Sequence, residues 1–212
     1  NETKELELLD TMLGKQVDGI VMMSDHVTDK IASAIRQSPV PVVLAGSIIN
    51  DSSIPSVNID YFQAAMDAIQ LFINKGHKEI AFVSGPLEYT INGEHKLGAY
   101  KQALQQANIE INEQLIDATD GTYDEALLSW ESFVQKGHVP TAIFAGSDEI
   151  ALGVIHAIQD AGKRVPEDVE VISFENSKLA RMIRPQLTSV ALPLYDIGAV
   201  SMRLLTKLLN KE

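Results

Sequence analysis

The sequence predicts an α/β fold of parallel strands flanked by helices, on three observations. Apolar runs of strand length alternate with amphipathic stretches of about 10–15 residues along nearly the whole chain. Three of these stretches stop at Gly76, Gly137 and Gly162, each after or near a lysine. Glycine accepts the left-handed conformation that closes a helix, and a cation suits the negative helix end. Finally, 212 residues that are 45% apolar and 22% charged can bury one large core or two small ones without a disulfide or metal staple.

The elements follow in order. Leu6, Leu9, Met12 and Leu13 mark a first helix from about Thr3 to Lys15, ended by Gly14, and Asp18 to Met23 reads as a buried strand. Helix Val27 to Gln37 then precedes strand Pro41 to Leu44, and a long loop leads to a short strand, Ser56 to Ile59. Helix Tyr61 to Lys75 with strand Glu79 to Ser84, and helix Ile91 to Ala107 with strand Leu115 to Ala118, repeat the order. Helix Tyr123 to Lys136 with strand Thr141 to Ala145, and helix Asp148 to Ala161 with strand Glu170 to Phe174, continue it. A last strand, Ser189 to Ala191, precedes the closing helix Tyr195 to Asn210. Parallel neighbours need crossover connections, which the intervening helices supply. So many strands fit two lobes better than one small sheet, although periodicity alone does not locate the hinge.

Composition narrows the function. With 29 acidic against 17 basic side chains the formal charge is -12, so phosphate backbones and anionic membranes would repel this segment. No Cys is present, which excludes disulfides, thiolate metal sites and cysteine nucleophiles, and gives a mild preference for a reducing compartment. The apolar runs are far shorter than a membrane span. Residues 1–9 read as a helix already under way, which suggests a fragment.

Catalytic signatures are missing. There is no G-x-G-x-x-G, G-x-x-x-x-G-K-[ST], G-x-S-x-G or H-E-x-x-H, and the five histidines suit no common metal pair. His77 and His138, which follow two of the helix-ending glycines, read as exposed loop residues. Asp148 and Glu149 are adjacent on a helix, hence about 100° apart, so they form no acid/base pair and suit the positive helix N-terminus instead. Neither a catalytic residue, a metal nor a cofactor is expected.

Binding candidates lie where strands give way to helices, because ligands of open α/β sheets gather at strand carboxyl ends. The loops at Ser24-Asp25, Ser84-Gly85-Pro86, Ser147-Asp148 and Glu175-Asn176-Ser177 qualify, each with simple N-capping as the plainer reading. On the last helix, Ile197, Val200, Ser201, Leu204 and Leu208 form the expected inward stripe. Asp196, Arg203 and Lys207 fall within about 40° of one another on a flank. Two cations at i,i+4 are either a solvated face or a docking patch for an anionic group, with Tyr195 as an amphipathic contact at the helix start.

Three runs resemble the core of the LacI/GalR family of transcription regulators: residues 140–153 (PTAIFAGSDEIALG), 162–169 (GKRVPEDV) and 184–190 (RPQLTSV). Lys15 to Ile20, Pro39 to Leu44 and Lys75 to Gly85 follow the same pattern, so the resemblance covers essentially the whole chain. The run from Leu194 to Lys207 is similar to the family's catabolite-control members from Gram-positive bacteria.

That resemblance implies a cytoplasmic, non-enzymatic protein with a two-lobed, periplasmic-binding-protein-like core that forms a homodimer. One lobe would comprise residues 1–76 plus 192–212 and the other 77–191, with a DNA-binding head for the operator outside this chain. It further implies a protein corepressor, HPr phosphorylated on serine, contacting Tyr195 and Asp196, with Arg203 as principal phosphate partner and Lys207 as supporting cation. Leu152 and Ile183 would be dimer contacts, with ordinary core packing as the equally weighted alternative. Ser84, Lys96, Ser147, Asp148 and Glu175 would line an effector cleft. Lys96 for the usual Arg, Ala99 for Gly, Glu175 for Asp and an apolar Leu192 argue against ordinary sugar binding and leave a phosphorylated-sugar modulator. The competing reading is a small-ligand receptor, either a sugar-responsive repressor core or an extracellular solute-binding protein.

Overall fold

The computed structural model describes residues 1–211, and its elements follow the predicted alternation. They are α1 (Glu2–Gly14), β1 (Ile20–Met22), α2 (Asp29–Gln37), β2 (Val42–Ala45), β3 (Ser56–Val57), α3 (Tyr61–Asn74), β4 (Ile80–Ser84), α4 (Gly98–Gln106) and β5 (Ile116–Ala118). Then come α5 (Tyr123–Gln135), β6 (Ala142–Ala145), α6 (Asp148–Asp160), β7 (Glu170–Glu175), α7 (Lys178–Met182), β8 (Thr188–Ala191) and α8 (Leu194–Asn210). Asn1 Oδ1 accepts the Thr3 and Lys4 N–H groups at the start of α1. Two features depart from expectation. The left-handed residue that ends α1 is Gln16, with φ +57°, and not Gly14, which lies inside the helix. Residues Ile91–Leu97, read as ordinary helix, form a π-helical segment running into α4.

The chain divides into two units. The first comprises residues 1–59 and the segment from Pro193 onward. It holds a three-stranded parallel sheet, β1-β2-β3, in which Val42, Val43, Leu44 and Ala45 are all buried. A core of Leu9, Ile20, Ile31, Ile35, Val42, Leu44 and Ile54 joins α1 and α2 to this sheet. Helix α8 presents Ile197, Ser201 and Leu205 inward. Gly19 admits that helix, since a Cβ there would come within 2.8 Å of Leu205 Cδ1. The inward stripe is therefore narrower than predicted: Val200 and Leu208 are exposed, and Leu205, outside the predicted stripe, is buried.

The second unit, residues 60–192, is a five-stranded parallel sheet of order β5-β4-β6-β7-β8. Alternation along the strands sorts its two faces. Phe82, Phe144 and Phe174 turn to one side, where Phe82 and Phe144 stack at 5.7 Å and Tyr100 lies against Phe82. Tyr100 donates to the Ile80 carbonyl at 2.8 Å, and burial pushes its phenol well above the ordinary range. Ala81, Val83, Ile143 and Ala145 turn to the other side and pack with Trp130, Phe133, Val154 and Ile158 of α5 and α6.

The unit boundary falls between Ile59 and Asp60, not at residue 76, so α3 belongs with the second sheet. Its aromatic side chains explain this: Tyr61 stacks on Phe174 at 6.1 Å, and Phe72 is fully buried with His77 edge-on to its ring. The positive φ values at Gly76 and Gly137, +89° and +85°, match the predicted helix exits. The histidines after them are not free loop residues. His77 Nδ1 meets Thr141 Oγ1 at 2.9 Å, and His138 Nε2 meets Gln114 Oε1 at 2.7 Å.

Candidate functional site

Two groups of residues stand out, one in each unit. In the second unit, Ser84 closes β4, Gly146-Ser147-Asp148 follow β6 and Glu175 ends β7, so three adjacent strands deliver their carboxyl ends to one place. This edge includes the switch point of the sheet, since the chain leaves β4 toward β5 on one side and returns to β6 on the other.

Lys96 reaches this edge from the π-helical segment. Its Nζ donates to the Gly146 carbonyl at 2.8 Å and to Asn92 Oδ1 at 3.4 Å, and lies 4.7 Å from the Phe174 ring centroid. Ser84 is fully buried, and its hydroxyl has no hydrogen-bond partner. It packs so closely on Gly146 that a Cβ there would stand 2.4 Å from Ser84 Oγ. Ser147 caps α6, accepting the Ile150 N–H at 3.2 Å, and stays half-buried.

Asp148 lies buried at this edge of the second unit. At 1% exposure its carboxylate accepts Ser173 Oγ at 2.5 Å and Ser189 Oγ at 2.8 Å through Oδ1, and the Ser177 N–H at 2.5 Å through Oδ2. Ser189 Oγ also accepts the Asn176 N–H at 2.9 Å. Asp148 therefore fastens the turn after β7, where Glu175 and Asn176 hold φ values of +113° and +55°. Non-glycine residues persist there only when the surroundings hold them. This positions the half-buried Glu175 at the rim. The neighbouring Glu149 accepts the Tyr123 N–H at 3.2 Å.

Sequence reasoning missed Asn92, Gly146 and Phe174 as ligands of Lys96, and Ser173 and Ser189 as ligands of Asp148. No local pattern marks them, because each pair meets only after the sheet assembles.

In the first unit, Tyr195, Asp196, Arg203 and Lys207 are all exposed on α8, Tyr195 at 87%. Arg203 and Lys207 make no hydrogen bond or ion pair among the described residues. Their N–H donors are therefore open to solvent, and a guanidinium fork beside an ammonium is chemistry that suits an anionic group. Elsewhere, Leu152 is half-buried on α6, while Ile183 packs against the core of the second unit.

Among the described residues, no three His, Cys, Asp or Glu side chains gather as a metal site. No helix is long and apolar enough to cross a membrane.

Comparison with known proteins identifies the family. Residues 69–212 match the model of the periplasmic binding protein-like domain. The chain is 55% identical to catabolite control protein A of Priestia megaterium over all 212 residues, which cover 64% of that relative. The chain thus spans just under two thirds of the length of the curated relatives it matches. Among solved structures, the transcription regulator CcpA of Lactococcus lactis superposes with a TM-score of 0.92 at 42% identity, covering 100% of this chain and 77% of that one. The complex of the regulator CelR with cellobiose superposes at 0.88 with 29% identity, covering 100% of this chain and 65% of that one. Both of these solved structures are of transcription regulators. The chain therefore belongs to the periplasmic binding protein-like family, among the cores of LacI/GalR-type transcription regulators.

Proposed function

We propose that this chain is the regulatory core of a transcription regulator of carbon catabolite control, with α8 as the docking face for HPr phosphorylated on serine. The unpaired Arg203 and Lys207 on one exposed flank of α8 carry this reading. A phosphoserine brings close to two negative charges and three acceptor oxygens. Arg203 offers a planar fork to those oxygens, Lys207 adds a point charge, and the phosphate removes the repulsion of an i,i+4 cation pair, roughly 0.2–0.5 kcal/mol. Tyr195 supplies apolar area beside the charge, and Asp196 an acceptor for a partner N–H. The similarity to catabolite control protein A supports the same reading. Two copies pair through Leu152 and Ile183, and the operator is bound by a head domain outside this chain.

Titration of the full-length regulator with HPr and with phosphoserine HPr tests this. The phosphorylated form binds at least tenfold more tightly, and equal affinities would overturn the reading.

A second reading, a phosphorylated-sugar modulator at the strand ends of the second unit, is favoured by the buried, unpaired Ser84 hydroxyl near Lys96. A phosphate accepts from the Lys96 ammonium more strongly than an uncharged sugar hydroxyl does, because both partners are then charged. Glucose 6-phosphate that leaves the melting temperature unmoved at millimolar concentration would dismiss it.

A further inference from the structure

Lys96 is the only buried lysine or arginine among the described residues, at 6% exposure. A buried ammonium is costly unless its hydration is replaced, so its surroundings reveal what the site is built to hold. They form a cage for an ammonium. The Gly146 carbonyl accepts at 2.8 Å, Asn92 Oδ1 lies at 3.4 Å, and the Phe174 face stands 4.7 Å away, within cation–π range. Backbone geometry serves the same end. Both Asn92 and Lys96 sit in the π-helical segment Ile91–Leu97, a rare conformation that recurs at functional sites. The bare Cα of Gly146 lets that strand end lie against Ser84.

This cage occupies the carboxyl edge of β4, β6 and β7, where an open parallel sheet takes its ligand. We infer that Lys96 is a tethered internal ligand: its ammonium fills the strand-end site of the second unit and refuses uncharged sugars. An uncharged hydroxyl can replace neither the charge–dipole contact with Gly146 nor the cation–π contact with Phe174. The inference is independent of the docking face on α8, which lies in the other unit.

The test uses Lys96→Ala in the whole chain, with unfolding followed by fluorescence of Trp130, the single tryptophan, which is buried in the second unit. The substitution removes three methylene carbons and the nitrogen, the atoms of n-propylammonium. The variant melts at lower temperature than the wild type. Millimolar n-propylammonium raises its melting temperature by about 3 °C or more, while 1-propanol does not, and neither compound moves the wild type. Glucose and cellobiose leave the wild type unmoved. Lack of rescue, equal rescue by 1-propanol, or a wild-type shift with either sugar would overturn the inference. If Lys96→Ala does not fold, Lys96→Met keeps the length without the charge. It melts below the wild type, and an unchanged melting temperature would refute the tethered ligand.

Discussion

Ser189 Oγ on β8 donates to Asp148 Oδ1 at 2.8 Å, tying the last strand of the second sheet to the first turn of α6. With Ser173 and the Ser177 N–H on the same carboxylate, Asp148 gathers three donors from β7, β8 and the turn between them. Asp148→Ala leaves these donors without their acceptor in a buried site. The expected cost is about 3 kcal/mol, and at 2–4 °C per kcal/mol for a chain of this size the Trp130 transition falls by roughly 6–12 °C. Thermal unfolding measures it, and a loss under about 1 kcal/mol would mean that the network holds nothing in place.

Gly153 marks the close crossing of α5 and α6. A Cβ there would stand 2.6 Å from the Tyr123 carbonyl oxygen and 2.8 Å from Ala126 Cβ. Alanine in a helix interior ordinarily gains about 1 kcal/mol over glycine. Here the collision is with backbone, so Gly153→Ala is expected to destabilise by about 1–3 kcal/mol in urea unfolding.

Asp51 titrates at about 2, against an ordinary 3.8, because the Ser53 hydroxyl and then the Ser53 N–H donate to it, with Arg36 adding its charge. A carboxyl whose pKa is depressed by folding contributes stability above its unfolded value and loses it as pH falls through the folded one. The contribution is thus present above about pH 4 and is lost as pH falls through about 2. Carboxyl NMR titration of Ser53→Ala should show the Asp51 midpoint rising toward 3.8, more than in Arg36→Ala, with a shallower acid limb in that window. A midpoint that stays near 2 would locate the cause elsewhere.

The proposed dimer contact at Leu152 is tested by charge. Leu152→Glu desolvates a carboxylate in any face it shares with a second copy. Sedimentation should shift the full-length regulator toward monomer while the Trp130 transition stays within a few degrees. An unaltered dimer would remove Leu152 from the interface.

Much of the fold was legible because helices and strands leave periodic apolar patterns, and because Gly76 and Gly137 must adopt positive φ at helix exits. What failed was partner choice. The apolar face of α3 does not say which sheet it covers, so the boundary at Asp60 emerged only from the meeting of Tyr61 with Phe174. The stripe of α8 was drawn too wide because a three-stranded sheet covers a narrower arc than the helix pattern offers. The carboxylate network of Asp148 was not legible because its serine donors lie 25 and 41 positions away. The exposure of Asp196, Arg203 and Lys207 was legible because helical angle brings them to one flank of α8, away from its buried residues Ile197, Ser201 and Leu205.

The docking account is tested most directly by a cycle that crosses Arg203→Ala with the phosphate on HPr. Dissociation constants are measured by calorimetry for both regulators with both forms of the partner. If Arg203 receives the phosphoserine, removing the side chain abolishes most of the phosphate preference, and the coupling between the two changes is about 1.5–3 kcal/mol. If the two changes add independently, with the phosphate preference intact in Arg203→Ala, then the phosphate is read elsewhere and α8 is not its receptor.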